Sequence, residues 1–171
     1  MYKINNNIIF LFLFLFVFAT TINSFTHNRI RKRADDVGKF TQCSGTFPIT
    51  VTEDTYTPAT IVPGETITEH VVWDSTVEVD PKTLIHVTIT TLDGTPILSH
   101  EHTFCGSQAV PPEVKCPIPV GHLDYTFKYA LPPSPDQPKA QTVQLYINRT
   151  LISPEKTTLQ CVEGTITVAF P

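Results

Sequence analysis

Four cysteines constrain the fold of this 171-residue chain more than any other feature. They are spread over a region in which apolar and polar residues alternate, at Cys43, Cys105, Cys116 and Cys161. In a secreted chain, an even number of cysteines indicates a disulfide framework, and four cysteines allow three pairings. The nested pairing, Cys43–Cys161 with Cys105–Cys116, would close one short loop and tie the two ends of the folded region together.

Residues 1–24 have the layout of a secretory signal peptide. Lys3 supplies the positive charge, residues 8–19 are an unbroken apolar run, and small and polar residues follow as far as Ser24. The run is shorter than the roughly 20 apolar residues that span a bilayer, so an uncleaved anchor is the lesser alternative. The basic cluster at 29–33 directly precedes two aspartates, which favours a pro-segment at 25–33 over a nucleic-acid-binding patch.

Cleavage after residue 33 would leave one domain, 34–171, of 138 residues. This part holds seven Lys and Arg against sixteen Asp and Glu, a net charge of −9. A charge of that sign argues against nucleic-acid binding and against strong adhesion to anionic membranes.

Period-two alternation predicts strands over most of the domain. Ile85, Val87 and Ile89 share one face of such a strand, and further series run through 123–129, 143–147 and 166–170. Pro63-Gly64 and Asp93-Gly94 mark turns between strands. About seven short strands predict an all-β fold, an immunoglobulin-like two-sheet β-sandwich stapled by disulfides. The cysteine positions do not match the disulfide of antibody domains.

Motifs for an enzyme are absent from the sequence. There is no Gly-Xaa-Ser-Xaa-Gly, no phosphate-binding glycine loop and no His-Glu-Xaa-Xaa-His. We interpret the adjacent carboxylates Glu53 and Asp54 as part of a solvated loop. The sequence therefore predicts no enzymatic activity and no cofactor.

His100 and His102 lie two residues apart on a predicted strand and so share a face. With His86 or His122 they could hold a metal, but an ordinary polar strand is the better interpretation, and we predict no metal site. Asn148-Arg149-Thr150 is an N-glycosylation sequon, and alternation points Asn148 outward, which predicts glycosylation there.

The order of several short motifs resembles the ML family of lipid-recognition domains, which includes sterol-binding proteins and fungal phosphatidylglycerol/phosphatidylinositol transfer proteins. Cys43 is followed by Val-Pro-Gly-Glu-Thr-Ile-Thr at 62–68 and by a strand that ends Thr103-Phe104-Cys105. Cys116-Pro117-Ile118 and then Leu159-Gln160-Cys161 complete the pattern, which covers nearly all of 43–171.

The resemblance implies a sandwich whose sheets enclose an apolar cavity for one lipid. The inward residues that we predict to line it are Val71, Trp73, Val87, Ile89, Phe104, Leu123, Tyr125, Phe127, Leu145, Ile147 and Val168. The alternative for each residue is a filled core. The disulfides that we predict are Cys43–Cys161 and Cys105–Cys116.

The function that we expect from the resemblance is non-enzymatic lipid binding and transfer between membranes, with a phospholipid or a sterol as cargo. The chain would be a secreted or vacuolar (endolysosomal) monomer that contacts membranes transiently. The alternative is a secreted sandwich with a solid core that recognises a protein or a glycan through its loops.

Overall fold

A computed structural model describes residues 37–130 and 141–170 of the chain. The predicted signal peptide (1–24), the predicted pro-segment (25–33) and the proline-bearing loop at 132–135 lie outside the described residues.

All regular structure in the described residues is β-strand. No helix that could cross a membrane occurs in these two segments. The strands are β1 (Gly38–Lys39), β2 (Thr41–Gln42), β3 (Ile49–Thr57), β4 (Thr60–Ile61), β5 (Thr66–Ser75), β6 (Leu84–Thr91), β7 (Pro96–Thr103), β8 (Gly121–Ala130), β9 (Gln141–Ile152) and β10 (Thr158–Phe170).

The strands form two sheets that pack face to face, which confirms the predicted β-sandwich. One sheet has the order β1-β3-β5-β8, and the other has the order β2-β10-β9-β6-β7 with β4 added beside β10. All pairings are antiparallel except that of β4 with β10. On one side of the sandwich each short strand contacts the sheet that faces it: β1 contacts β10, and β2 contacts β3. On the other side, the outer strands are β8 of the first sheet and β7 of the second.

The predicted alternation matches the observed faces of the strands. Ile85 lies opposite Leu151 and Val87 lies opposite Arg149, and residues that are directly opposite share a face of the sheet. The predicted turn at Asp93-Gly94 connects β6 to β7, and Gly94 has a φ of 88°, a conformation that glycine adopts at no steric cost.

The disulfides have the nested pairing. Cys43, which follows β2, is bonded to Cys161 in β10, so this bridge joins neighbouring strands of one sheet. Cys105 is bonded to Cys116 and closes the loop between β7 and β8. Neither bridge has the inter-sheet position of an antibody disulfide, in agreement with the sequence.

Two groups of buried residues fill the sandwich. The first surrounds Trp73, Phe104 and Tyr125, and the second surrounds Tyr56 and Phe170. Each group takes side chains from both sheets, so apolar burial holds the sheets together at two places. Between the groups lies a charged cluster.

Candidate ligand site between the sheets

Three charged side chains project into the interior of the sandwich. Glu69 lies on the inward face of β5, between Ile67 and Val71, and is 1% exposed. Asp54 of β3 is 2% exposed, and Arg149 of β9 faces it from the other sheet. Our interpretation of Asp54 as part of a solvated loop was wrong, because β3 runs through this position and turns the carboxylate inward.

Arg149 joins the two sheets through ion pairs with both carboxylates. Its Nη2 lies 2.6 Å from Asp54 Oδ2, and its Nη1 lies 2.5 Å from Glu69 Oε1. Tyr129 donates a hydrogen bond of 3.1 Å to Glu69 Oε2, and the guanidinium carbon lies 4.3 Å from the centre of the Phe40 ring. We call Asp54, Glu69 and Arg149 the buried triad.

The triad holds one more carboxylate than guanidinium, in surroundings where ions are poorly solvated. Burial raises the pKa of Asp54 to about 7, against the attraction of Arg149 and with the help of repulsion from Glu69. Burial by itself would lower the pKa of Arg149, but Glu69 and Asp54 outweigh this effect and raise it, so the guanidinium stays charged. Burial also raises the pKa of Tyr129, which keeps its hydroxyl protonated as a donor to Glu69.

A cavity of about 30 Å³ lies beside the triad, between the sheets. Its charged lining is the triad. Its apolar lining comes from both sheets and includes Val71, Trp73, Ile85, Phe104, Tyr125 and Phe127. One water needs roughly 10–15 Å³ of such space, so this volume admits about two waters or a small polar group. A lipid chain requires the surrounding side chains to move.

The eleven residues predicted to line a lipid cavity all lie on inward faces of strands or next to them, but in three different settings. Five of them line the observed cavity: Val71, Trp73, Phe104, Tyr125 and Phe127. Leu145 and Val168 are buried in the second apolar group instead. The remaining four, Val87, Ile89, Leu123 and Ile147, pack against the apolar groups and are only partly buried.

The partly buried members identify the side on which the sandwich is incompletely covered. Val87 and Ile89 lie on β6, and Leu98 of β7, opposite Ile89, is likewise only partly buried. Leu123 of β8 belongs to the facing sheet and is also partly buried. Among the pairings of the described strands none joins β7 to β8, so inward apolar side chains keep contact with solvent along this edge.

The histidines do not gather into one site. His100 and His102 lie on the inward side of β7 with ring centres 5.2 Å apart. His86 bonds with Ser99 at 2.9 Å. His122 lies on β8, in the sheet that does not contain β7, and pairs with Asp74 of the adjacent strand β5 at 2.9 Å. Within 37–130 and 141–170, no three His, Cys, Asp or Glu side chains are placed to hold a metal ion.

The sequon residue Asn148 lies in the middle of β9. Its Nδ2 is 3.4 Å from each sulfur of the Cys43–Cys161 disulfide, and its Oδ1 accepts a hydrogen bond of 3.1 Å from Thr150. Glycosylation of Asn148 stays a prediction.

Sequence reasoning missed the triad, although two of its members carried a signal. Glu69 lies at an even spacing from Val71 and Trp73 and therefore on the same face of its strand. Arg149 has the same relation to Leu145 and Ile147, so alternation by itself turns both charges inward. Two opposite charges at inward positions of different strands are the pattern of a buried ion pair.

Solved structures resemble this chain in fold. The Niemann-Pick type C2 protein from Japanese carpenter ant is 14% identical, with a TM-score of 0.50 over 77% of this chain and 98% of that protein. Chicken MD-1, in a complex with lipid IVa, is 17% identical, with a TM-score of 0.47 over 77% of this chain and 88% of that protein. No family model matches the chain, and no curated protein does. The likeness to the ant protein confirms, at the level of the fold, the resemblance to the ML family that the sequence predicts.

Proposed function

We propose that this chain binds a single lipid between its sheets and carries it from one membrane to another, without performing a reaction. The observation that supports this most is the incompletely covered interior along β7 and β8. Val87, Ile89 and Leu123 point toward the interior and yet remain partly exposed.

Burial of this apolar surface by a lipid would supply the binding energy, at about 25 cal/mol for each Å² removed from water. The fold shared with the Niemann-Pick type C2 protein is consistent with such a ligand. Phospholipids and sterols are the cargo classes that we consider first. Entry of the lipid would displace side chains at the uncovered edge and so enlarge the cavity of about 30 Å³.

The compartment that we propose is extracellular or the lumen of a vacuole or endolysosome. The two disulfides persist in oxidising surroundings. The acidic charge of residues 34–171 suits a monomer that touches anionic membranes only transiently and then leaves them. A glycan on Asn148 would fit the same route of export.

Native mass spectrometry of residues 34–171 tests the proposal directly. After incubation with vesicles that contain phospholipid and sterol, we expect one bound lipid per chain. A mass that stays free of lipid under all vesicle compositions would refute lipid binding.

A pair of substitutions on neighbouring residues of β6 locates the binding surface. Val87 faces the interior, so Val87→Trp should block the lipid and abolish uptake. Thr88 lies on the opposite face of the same strand and pairs with Ser99 and Asn148, so Thr88→Trp should leave uptake unchanged. Equal uptake by both variants would show that the lipid binds elsewhere.

The second candidate function is recognition of a protein or a glycan through the loops of a solid sandwich. The small cavity and the ion pairs across the interior favour it. It predicts that no lipid is extracted from vesicles and that both tryptophan variants behave like the native chain.

A further inference from the structure

Three buried polar atoms around the cavity have no hydrogen-bond partner within the protein. They are Asp54 Oδ1, Arg149 Nε and Trp73 Nε1, and all three residues line the same cavity. A buried polar atom without a partner costs about 1–3 kcal/mol. A group that enters the cavity and bonds to these atoms would recover part of that cost.

The hydrogen-bonding character of the three atoms indicates the kind of group. Arg149 Nε and Trp73 Nε1 carry hydrogens and can only donate, whereas Asp54 Oδ1 can only accept while the carboxyl group is ionised, which is its main form at alkaline pH. A hydroxyl group accepts two hydrogen bonds and donates one, which matches this set. A plain hydrocarbon end would leave all three atoms without partners.

Ionic groups fit the same place less well than a hydroxyl group. An anionic headgroup would be brought next to Asp54 and Glu69, and the guanidinium of the triad is already paired with both carboxylates. A cationic ammonium group would be attracted by the carboxylates, but it has no acceptor and would leave the N–H groups of Arg149 and Trp73 without partners. The uncharged, hydroxyl-bearing end of a lipid meets no such repulsion and offers both an acceptor and a donor.

We propose that the cavity receives the hydroxyl end of a long-chain alcohol or a similar hydroxyl-bearing lipid, which therefore enters the sandwich polar end first. This inference rests on the proposed lipid-binding function and specifies the ligand class and its orientation. This orientation is the reverse of one in which a polar headgroup stays at the edge of the sandwich and a hydrocarbon tail fills the interior.

The surroundings of the cavity provide a path for the rest of the lipid. Val87 lies opposite Arg149 in the register of β6 and β9, and Leu123 lies opposite Trp73 in the register of β8 and β5. Both apolar residues adjoin cavity-lining residues and are partly exposed. The hydrocarbon tail of a lipid whose hydroxyl lies in the cavity would pass between Val87 and Leu123 toward the edge at β7 and β8.

Trp73 makes the orientation measurable, because it is the only tryptophan of the chain, is 1% exposed and lines the cavity. Bromine quenches tryptophan fluorescence on contact. The experiment compares two long-chain alcohols that differ only in the position of bromine, next to the hydroxyl or at the far end of the chain. Binding of each is checked by native mass spectrometry.

We expect the alcohol brominated beside its hydroxyl to quench Trp73 several-fold more strongly than the alcohol brominated at its tail. Equal quenching, or stronger quenching by the tail bromine, would overturn the orientation while leaving lipid binding intact; waters would then satisfy the three polar atoms. If neither alcohol nor any vesicle lipid binds, the proposed function itself fails.

A ligand series and one substitution test the hydrogen bonds. The alcohol should bind at least ten-fold more tightly than the fatty acid of equal length at alkaline pH, where that ligand is anionic. Trp73→Phe removes the Nε1 donor and should reduce this preference several-fold, as measured by native mass spectrometry. Tyr146→Phe removes a hydroxyl that bonds Glu163 at 2.5 Å on the outer face and should not change it. If Trp73→Phe prefers the alcohol over the fatty acid as strongly as the native protein does, Trp73 does not donate a hydrogen bond to the ligand.

Discussion

Replacement of Arg149 by methionine should destabilise the fold more than any substitution at the surface. Asp54 and Glu69 are almost completely buried, and Arg149 is the cation that pairs with both. Removal of one partner from a buried ion pair costs about 3–5 kcal/mol, because the charge that stays behind is neither solvated nor compensated. Methionine keeps an unbranched side chain in place of the arginine stem, so the packing loss is small.

The predicted loss is a large part of the total stability. Small domains unfold with about 5–15 kcal/mol, and the urea dependence is about 1–3 kcal/mol per molar. A loss of about 4 kcal/mol therefore lowers the urea midpoint by about 2 M. The assay is equilibrium urea unfolding near pH 8, followed by the fluorescence of the buried Trp73.

Two further variants separate the penalty of a broken pair from the net value of the triad. Lys128 is an exposed cation of β8, and Lys128→Met should change stability by less than about 0.5 kcal/mol. Simultaneous replacement of Asp54, Glu69 and Arg149 by apolar residues of similar size should restore stability or exceed it by about 1–4 kcal/mol. A loss below about 1 kcal/mol in Arg149→Met would refute the reasoning, since exposed ion pairs contribute that much.

The remaining predictions concern pH, the disulfides and one close contact. Burial raises the pKa of Asp54 to about 7, so the folded chain holds this proton more tightly than the unfolded chain. The resulting stabilisation should be complete below about pH 4 and lost as the pH rises through about 7. When urea unfolding is measured as a function of pH, Asp54→Asn should flatten this part of the stability profile. Removal of Cys43–Cys161, whose cysteines are 118 residues apart, should cost about 5 kcal/mol, and removal of Cys105–Cys116, 11 residues apart, about 3 kcal/mol; equal losses would contradict the loop-entropy argument. Gly38 packs directly on the ring of Tyr56, so Gly38→Ala should cost about 1–3 kcal/mol in the same assay, and an unchanged midpoint would show that the ring moves away freely.

The fold could be predicted from the sequence because its main signals are local. Strand alternation depends only on the residue parity, and the series at 85–89 and 143–147 therefore gave the correct inward faces. The turn at Asp93-Gly94 depends on a glycine with a positive φ, which the residue type itself indicates.

Asp54 shows why part of the site could not be predicted. Ile49 and Val51 face inward, and continued alternation would turn Glu53 inward and Asp54 outward. The register of β3 against β5 shifts between Val51 and Glu53, which inserts an extra residue and reverses the parity of everything that follows. A bulge depends on the partner strand, so the residues of β3 alone do not reveal it.

The sequence by itself determined the strands, their inward faces and the disulfide-bearing sandwich, because residue type and spacing encode these features within a few positions. Only the tertiary structure decided that Arg149 of one sheet meets Asp54 and Glu69 of the other, and that the cavity between them is small and partly charged. The physical reason is that an ion pair and a cavity arise from the distance between sheets. That distance depends on how both faces pack and on which edge, here β7 and β8, remains incompletely covered.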